Sequence, residues 1–295
     1  MAISKTEIFE SAPIPKAALA LSLPAVLSSL VMIVYNLADT FFVGMLNDPV
    51  QNSAVTLAAP LLLAFNAVNN LFGVGSSSMM SRAMGVKDHD TVRRASAFGF
   101  WCAAFSGLMF SLLVGLLNAP LLRLLGAEGD TLAPTAEYLK WTALCGAVPS
   151  ILNVVMAYLF RSEGATLHAS IGTMSGCLLN IILDPICILG LKMGAAGAGF
   201  ATFLSNCFAC LYFLALIVLR RGKTLVCISP AAFRPNRRLV KGVLGVGIPA
   251  SIQNLLNVTG MTVMTNAIAA YGLSDQVVNS HRAVDDVVAT VAVME

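Results

Sequence analysis

Two carboxylates stand where this chain carries almost no other charge. Asp39, in "VYNLADTFFVG", is the only charged residue between Lys16 and Asp48, and Asp184, in "LLNIILDPICILG", is the only one between Glu163 and Lys192. Both lie inside long apolar runs. A charged side chain in mid-membrane costs about 2.5–3.5 kcal/mol on insertion scales, so such a residue ordinarily faces a cavity or a partner. Asn180 precedes Asp184 by four residues and shares its helical face, while Asn153 and Thr202 bring an amide and a hydroxyl from neighbouring runs. Two carboxylates, an amide and a hydroxyl can line a cation site with oxygen. They can equally hold a proton, because two close carboxylates in a low dielectric do not both ionise easily. The structural alternative is a buried, protonated Asp that donates one hydrogen bond, or an interfacial Asp that reaches headgroups.

Composition dictates the elements that must position these groups. Hydrophobic residues make up 57% of the chain and charged residues 11%, with a mean hydropathy of +0.81. A soluble domain carries about twice that charged fraction, and the apolar runs reach the roughly 20 residues that a bilayer requires. The chain therefore reads as an all-α polytopic membrane protein. Pro13, Pro15 and Glu10 interrupt any signal-peptide pattern, so the first run is expected to stay as a membrane helix. Apolar runs set against breakers predict spans at about 17–45, 54–81, 95–119, 136–160, 169–191, 195–219 and 242–271, with an eighth begun over about 277–295.

Lys and Arg crowd alternate loops. Lys5 and Lys16 precede the first span, Arg82, Lys87, Arg93 and Arg94 flank the second loop, and a basic segment fills 220–241. The positive-inside rule then places the N-terminus in the cytoplasm, in a multi-pass plasma (inner) membrane protein. In that orientation Asp39 lies six residues before Met45, Asp184 seven before Leu191, and Thr202 seven after Ala195. At about 1.5 Å per residue all three fall roughly 10 Å below the outer surface. Asn180 is one turn deeper and Asn153 is nearer mid-membrane.

An internal repeat is also visible. Setting Pro24 on Pro249 aligns Lys16 with Lys241, Leu19 with Leu244, Ala25 with Ala250, Leu30 with Leu255 and Thr40 with Thr265. Both stretches open a span from the basic side, and repeated halves are frequent in transporters. Asp39 pairs with Met264 in this register, so the carboxylate belongs to the first copy. The expected division is an N-terminal lobe of six helices over 1–219, a cytoplasmic loop over 220–241, and the start of a second, repeated lobe over 242–295. Asn66, Asn69 and Asn70 in span two, and Gln253, Asn254 and Asn257 in span seven, either line a substrate cavity or hydrogen-bond between helices.

Other chemistries find little support. Cys207 and Cys210 form a CxxC inside "FLSNCFACLYFLALIVL", whereas a thioredoxin-type site needs a helix start in a soluble βαβ unit. His89, His168 and His281 show no metal-ligand spacing. "GVGSSSMMSRAMG" and "GAAGAGFAT" lack the phosphate-loop pattern, and their small residues suit close helix approach. The basic 220–241 segment reads as a cytoplasmic anchor rather than a nucleic-acid surface. An intramembrane aspartyl protease would carry Tyr-Asp and Gly-x-Gly-Asp, where this chain has Ala38–Asp39 and Leu183–Asp184. No enzyme activity and no cofactor are expected.

At these residues the chain resembles the multidrug and toxic compound extrusion (MATE) family over nearly its whole length. The resemblance is carried by "LSLPAVLSSLVMIVYNLADTFFVG", "SSSMMSRAMGVKDHD", "YLFRSEGA", "LLNIILDPICILGLKMGAAGAGFATFLSN" and "GIPASIQNLLN". It implies twelve helices in two lobes with a substrate cavity between them, and export of organic cations and other amphipathic, drug-like compounds in exchange for H⁺ or Na⁺. Asp39, Asn180, Asp184 and Thr202 match the family's first-lobe cation-site positions, and Asn153 matches a cavity residue beside them. Asn66, Asn70, Gln253 and Asn257 become candidate cavity residues. Pro24 matches a proline at which the first helix is thought to bend. Asn257 stands where one branch of the family has Glu, which places a second-lobe carboxylate site of that kind in doubt. A lipid-linked oligosaccharide flippase of the same superfamily is the alternative cargo, though its cationic cavity residues are almost absent from these spans. Family members run well past 400 residues, so the 295 residues read as a truncated form whose cavity the remaining lobe, or a partner chain, would close.

Overall fold

The computed structural model describes residues 14–46, 48–220, 222 and 224–270. All regular structure among them is helical. Helix α1 covers Ile14–Gly44, α2 Pro49–Gly85, α3 His89–Leu116 and the short α4 Asn118–Leu124. Then come α5, Gly129–Cys145, and α6, Ala147–Ser162, which meet at a 50° bend and together make one broken span. Helix α7 covers Thr166–Gly190, α8 Ala195–Leu219 and α9 Arg237–Ala270. Six of these helices are long and apolar enough to cross a membrane, and the bent pair makes a seventh. They coincide with the seven spans expected from the sequence. The expected eighth span lies outside the described residues. Packing divides the chain after Ser251 into two compact units, and the contacts below belong to the first.

Local chemistry starts and interrupts these helices. Asp48 caps α2 by accepting from the Val50 amide at 2.9 Å, with Pro49 at the first helical position, where its missing N–H costs nothing. Asp88 caps α3 by accepting from the Thr91 amide at 3.0 Å and the Thr91 hydroxyl at 2.6 Å. Between α5 and α6 stands Gly146, where a Cβ would lie 2.6 Å from the carbonyl oxygens of both Trp141 and Thr142; only glycine lets the chain turn there. Three π-turns, over Asn69–Val74, Lys140–Cys145 and Ile186–Gly190, break the regular ladder. Pro185 immediately precedes the last of these and cannot donate to the ladder.

Small side chains recur at the helix contacts, and many large apolar ones face outward. Ala54, Ala58, Ala95, Ala103, Ala147, Ala195, Ala201 and Ala209 are wholly buried, while Phe105, Leu116, Leu124, Leu211 and Leu219 project outward. In water this arrangement would be costly. In lipid the tails are as apolar as leucine, so helices associate by close approach and the large residues face outward. Phe160 and Phe213 stack at 5.6 Å in the middle of the bundle beside Met80, Leu139, Ile151 and Val155. Helix α1 sits at the edge, resting chiefly on α7 with minor contacts to α2 and α8.

Candidate functional site

The face that α7 presents to α8 carries Asn180 and Asp184, one turn apart. Asp184 is fully buried and Asn180 is 2% exposed. In the orientation that satisfies both neighbours, the Asn180 amide nitrogen donates to Asp184 Oδ2 at 2.8 Å. Its carbonyl oxygen then accepts from the Thr202 backbone N–H at 3.1 Å and from the Thr202 hydroxyl at 3.3 Å. The residues expected to share a site on spans five and six thus form one hydrogen-bonded chain from carboxylate to amide to hydroxyl. Small residues permit this closeness. A Cβ on Gly197 would stand 2.7 Å from the Cys187 carbonyl oxygen, so α8 touches the backbone of α7 one turn beyond Asp184.

Asp39 reaches the same region from α1. It interacts electrostatically with Asp184, and its half-buried carboxylate keeps one oxygen, Oδ1, out of water with no hydrogen-bond partner. An unmatched acceptor in an apolar setting is costly, and it is the kind of group that a cation or a proton would satisfy. Two tyrosines complete the surroundings. Tyr35, one turn before Asp39 on α1, and Tyr138, buried in the middle of α5 just before its π-turn, each interact with both carboxylates.

Asn153 of α6 makes a separate pair with α8. Its Nδ2 donates to Asn206 Oδ1 at 3.1 Å, while its own Oδ1 is buried without a partner. Asn66 and Asn70 are neighbours on one face of α2, where Asn70 Nδ2 donates to the Asn66 carbonyl at 3.0 Å, and Asn69 is buried. They do not join the carboxylate cluster. Gln253 and Asn257 are exposed on α9 in the second unit. Pro24 lies within α1, fifteen residues before Asp39. Tyr35, Tyr138 and Asn206 are the neighbours that the sequence reading missed. Tyr35 precedes Asp39 by four residues and Asn206 follows Thr202 by four, so the same face-sharing rule that found Asn180 applies to both. Nothing local marked Tyr138.

Comparisons with known proteins bear on the fold and the family. The family model MatE matches residues 24–186. The multidrug export protein MepA of Staphylococcus aureus is 32% identical over 278 residues, covering 92% of this chain and 61% of its own length. A MATE protein crystallised in complex with MaD3S superimposes with a TM-score of 0.85 at 27% identity, over 98% of this chain and 64% of that one. An outward-facing multidrug resistance MATE family transporter of the MOP superfamily gives 0.79 at 29% identity, over 92% and 59%. The chain thus spans about three fifths of the length of the curated relatives it matches. The matched stretch opens at Pro24 and closes at the π-turn beside Asp184, and this chain belongs to the MatE family.

Proposed function

We propose that the protein is a secondary active multidrug efflux transporter, in which entry of H⁺ or Na⁺ at Asp39 and Asp184 drives outward release of organic cations and other amphipathic compounds. The observation that carries this reading is the unpartnered Asp39 oxygen beside the Asp184–Asn180–Thr202 chain. The likeness to a protein named as a multidrug export protein supports the cargo. The proposal sets the N-terminus in the cytoplasm and treats residues 1–219 as the first lobe, 220–241 as the inter-lobe loop and 242–295 as the opening of the second. Asn153, Asn66, Asn70, Gln253 and Asn257 would line the substrate cavity, which a further lobe or a partner chain completes. No cofactor is required.

The physical sequence follows from charge. A cation arriving from outside satisfies the bare Asp39 oxygen and offsets the charge of the carboxylate pair. Helix α1 rests chiefly on α7, so a changed balance between Asp39 and Asp184 alters the contact that holds α1. Pro24 lacks the N–H that would bond the carbonyl four residues earlier, which makes it the weakest point about which α1 can bend. Bending reshapes the cavity and releases the compound outward.

The test uses the full-length natural protein in proteoliposomes, with a fluorescent organic cation and an imposed H⁺ or Na⁺ gradient applied separately. Asp39→Asn and Asp184→Asn are each expected to abolish gradient-driven export, and only one of the two gradients should energise the wild type. Normal export by both variants would refute the coupling role.

A further inference from the structure

Two cavities share one wall on the basic side of the first unit. Residues 227–233 lie along α3: the Ser96 hydroxyl accepts from the Cys227 amide at 2.9 Å, Trp101 Nε1 donates to the Ile228 carbonyl at 3.1 Å, and Phe98 stacks on Phe233 at 5.9 Å. On one side of this strap is an apolar cavity of about 460 Å³, lined by Phe72, Trp101, Phe105, Pro230 and Phe233. On the other is a polar cavity of about 320 Å³, where Arg93, Arg94 and Arg234 face a single carboxylate, Asp90. Arg94 is tied to Asp90 at 2.6 Å, which leaves Arg93 and Arg234 in excess. Arg94 also lines a third cavity with Arg82, Arg238 and Asp88, so the positive charge continues around the end of the bundle.

The order of these features along α3 is that of a phospholipid. Arg94, Phe98, Trp101 and Phe105 follow at intervals of four, three and four residues and so share one face. Arg94 to Phe105 spans about 16 Å at about 1.5 Å per residue, the distance from a phosphate into the upper acyl chains. Trp101 and Phe105 are 38% and 68% exposed, and the ring N–H of Trp101 is used at the level where interfacial tryptophans sit. A free anion would have no use for the apolar cavity, and a neutral lipid none for the arginines. We infer that this pair of cavities is a binding site for an anionic phospholipid, with its phosphate at Arg93 and Arg234 and one acyl chain against Trp101, Phe105 and Phe233. The occupant would hold the inter-lobe segment on α3. The inference uses the proposed orientation only to assign the cytoplasmic leaflet.

Native mass spectrometry of the full-length protein in detergent tests it, with phosphatidylglycerol, phosphatidylcholine and glycerol 3-phosphate as probes. Phosphatidylglycerol should be retained over phosphatidylcholine. Arg93→Gln with Arg234→Gln should weaken retention by about 25-fold, at about fivefold per arginine. Phe105→Ala should weaken it too, while Arg123→Gln, in α4 beyond the far end of α3, should not. If the double variant does not fold, Arg234→Gln alone should still show about the fivefold loss. Equal retention of the two lipids, no effect of the arginine substitutions, or displacement of phosphatidylglycerol by equimolar glycerol 3-phosphate would each overturn the site. Lipid retention is read without transport, so an export failure of Asp39→Asn and a retention failure here are separate results.

Discussion

Gly197→Ala adds one methyl group where α8 meets the backbone of α7. The new Cβ would stand 2.7 Å from the Cys187 carbonyl oxygen, 2.8 Å from its carbon and 3.0 Å from the Ile188 nitrogen. All three are backbone atoms and cannot rotate away. An ordinary contact begins near 3.4 Å, so the helices must part by about 0.7 Å. Overpacking of this kind costs about 1–3 kcal/mol. Displacement of the same size at Thr202, five residues on, would stretch its 3.1 and 3.3 Å bonds to Asn180 to about 3.8–4.0 Å, beyond hydrogen-bonding distance. Alanine also raises helix propensity by up to about 1 kcal/mol, so the comparison needs a matched control. Gly245→Ala supplies it, because nothing lies within 4 Å of a Cβ there. In thermal unfolding of the full-length protein in detergent, Gly197→Ala should melt about 1–3 °C below Gly245→Ala, at roughly 1 °C per kcal/mol for a chain of the relatives' length. It should also lose cation-dependent stabilisation, which the control retains. Midpoints within about 0.5 °C of each other would refute the claim that helix contact at Gly197 sets the site geometry.

Two further outcomes follow from groups outside the site. Thr224 donates to the buried carboxylate of Glu163 at 2.5 Å and accepts from the Val226 amide. A hydrogen bond to a charged acceptor is worth about 1.5–3 kcal/mol, so Thr224→Val should free the 224–228 segment; limited proteolysis should cut there at least tenfold faster, and unchanged cleavage would count against the anchor. Asp88 has its carboxyl held below the usual carboxylate range, mainly by the Thr91 hydroxyl and then the Thr91 amide. Because the folded form binds its proton less readily than the unfolded one, the α3 cap contributes fully above about pH 4 and is lost as pH falls through the depressed value. Amide exchange at Thr91 should therefore be flat from pH 7 to about pH 4, after correction for intrinsic rates, and rise below it; in Asp88→Ala the rise should vanish and exchange should be fast throughout.

Much of this protein is legible in one dimension because a bilayer constrains each span separately. An apolar run of sufficient length must be a helix there, since its backbone has no other hydrogen-bond partners. The seven spans could for that reason be read without knowing what packs on what. Asp39 and Asp184 stood out on the same ground, as local anomalies against an apolar background, and Asn180 followed from helical periodicity. Only tertiary structure decided which of these groups touch. The bonds from Asn180 to Thr202 and from Asn153 to Asn206 cross between helices, and no spacing encodes which face of α8 turns toward α7. Tyr138 reaches the carboxylates from α5, beside a π-turn whose extra residue no apolar pattern signals. The docking of residues 224–233 on the first unit likewise depends on partners more than 60 residues away, Glu163 at 61 and Trp101 at 127. Side chains that meet through such long loops are chosen by packing, and packing is a property of the folded bundle rather than of any stretch within it.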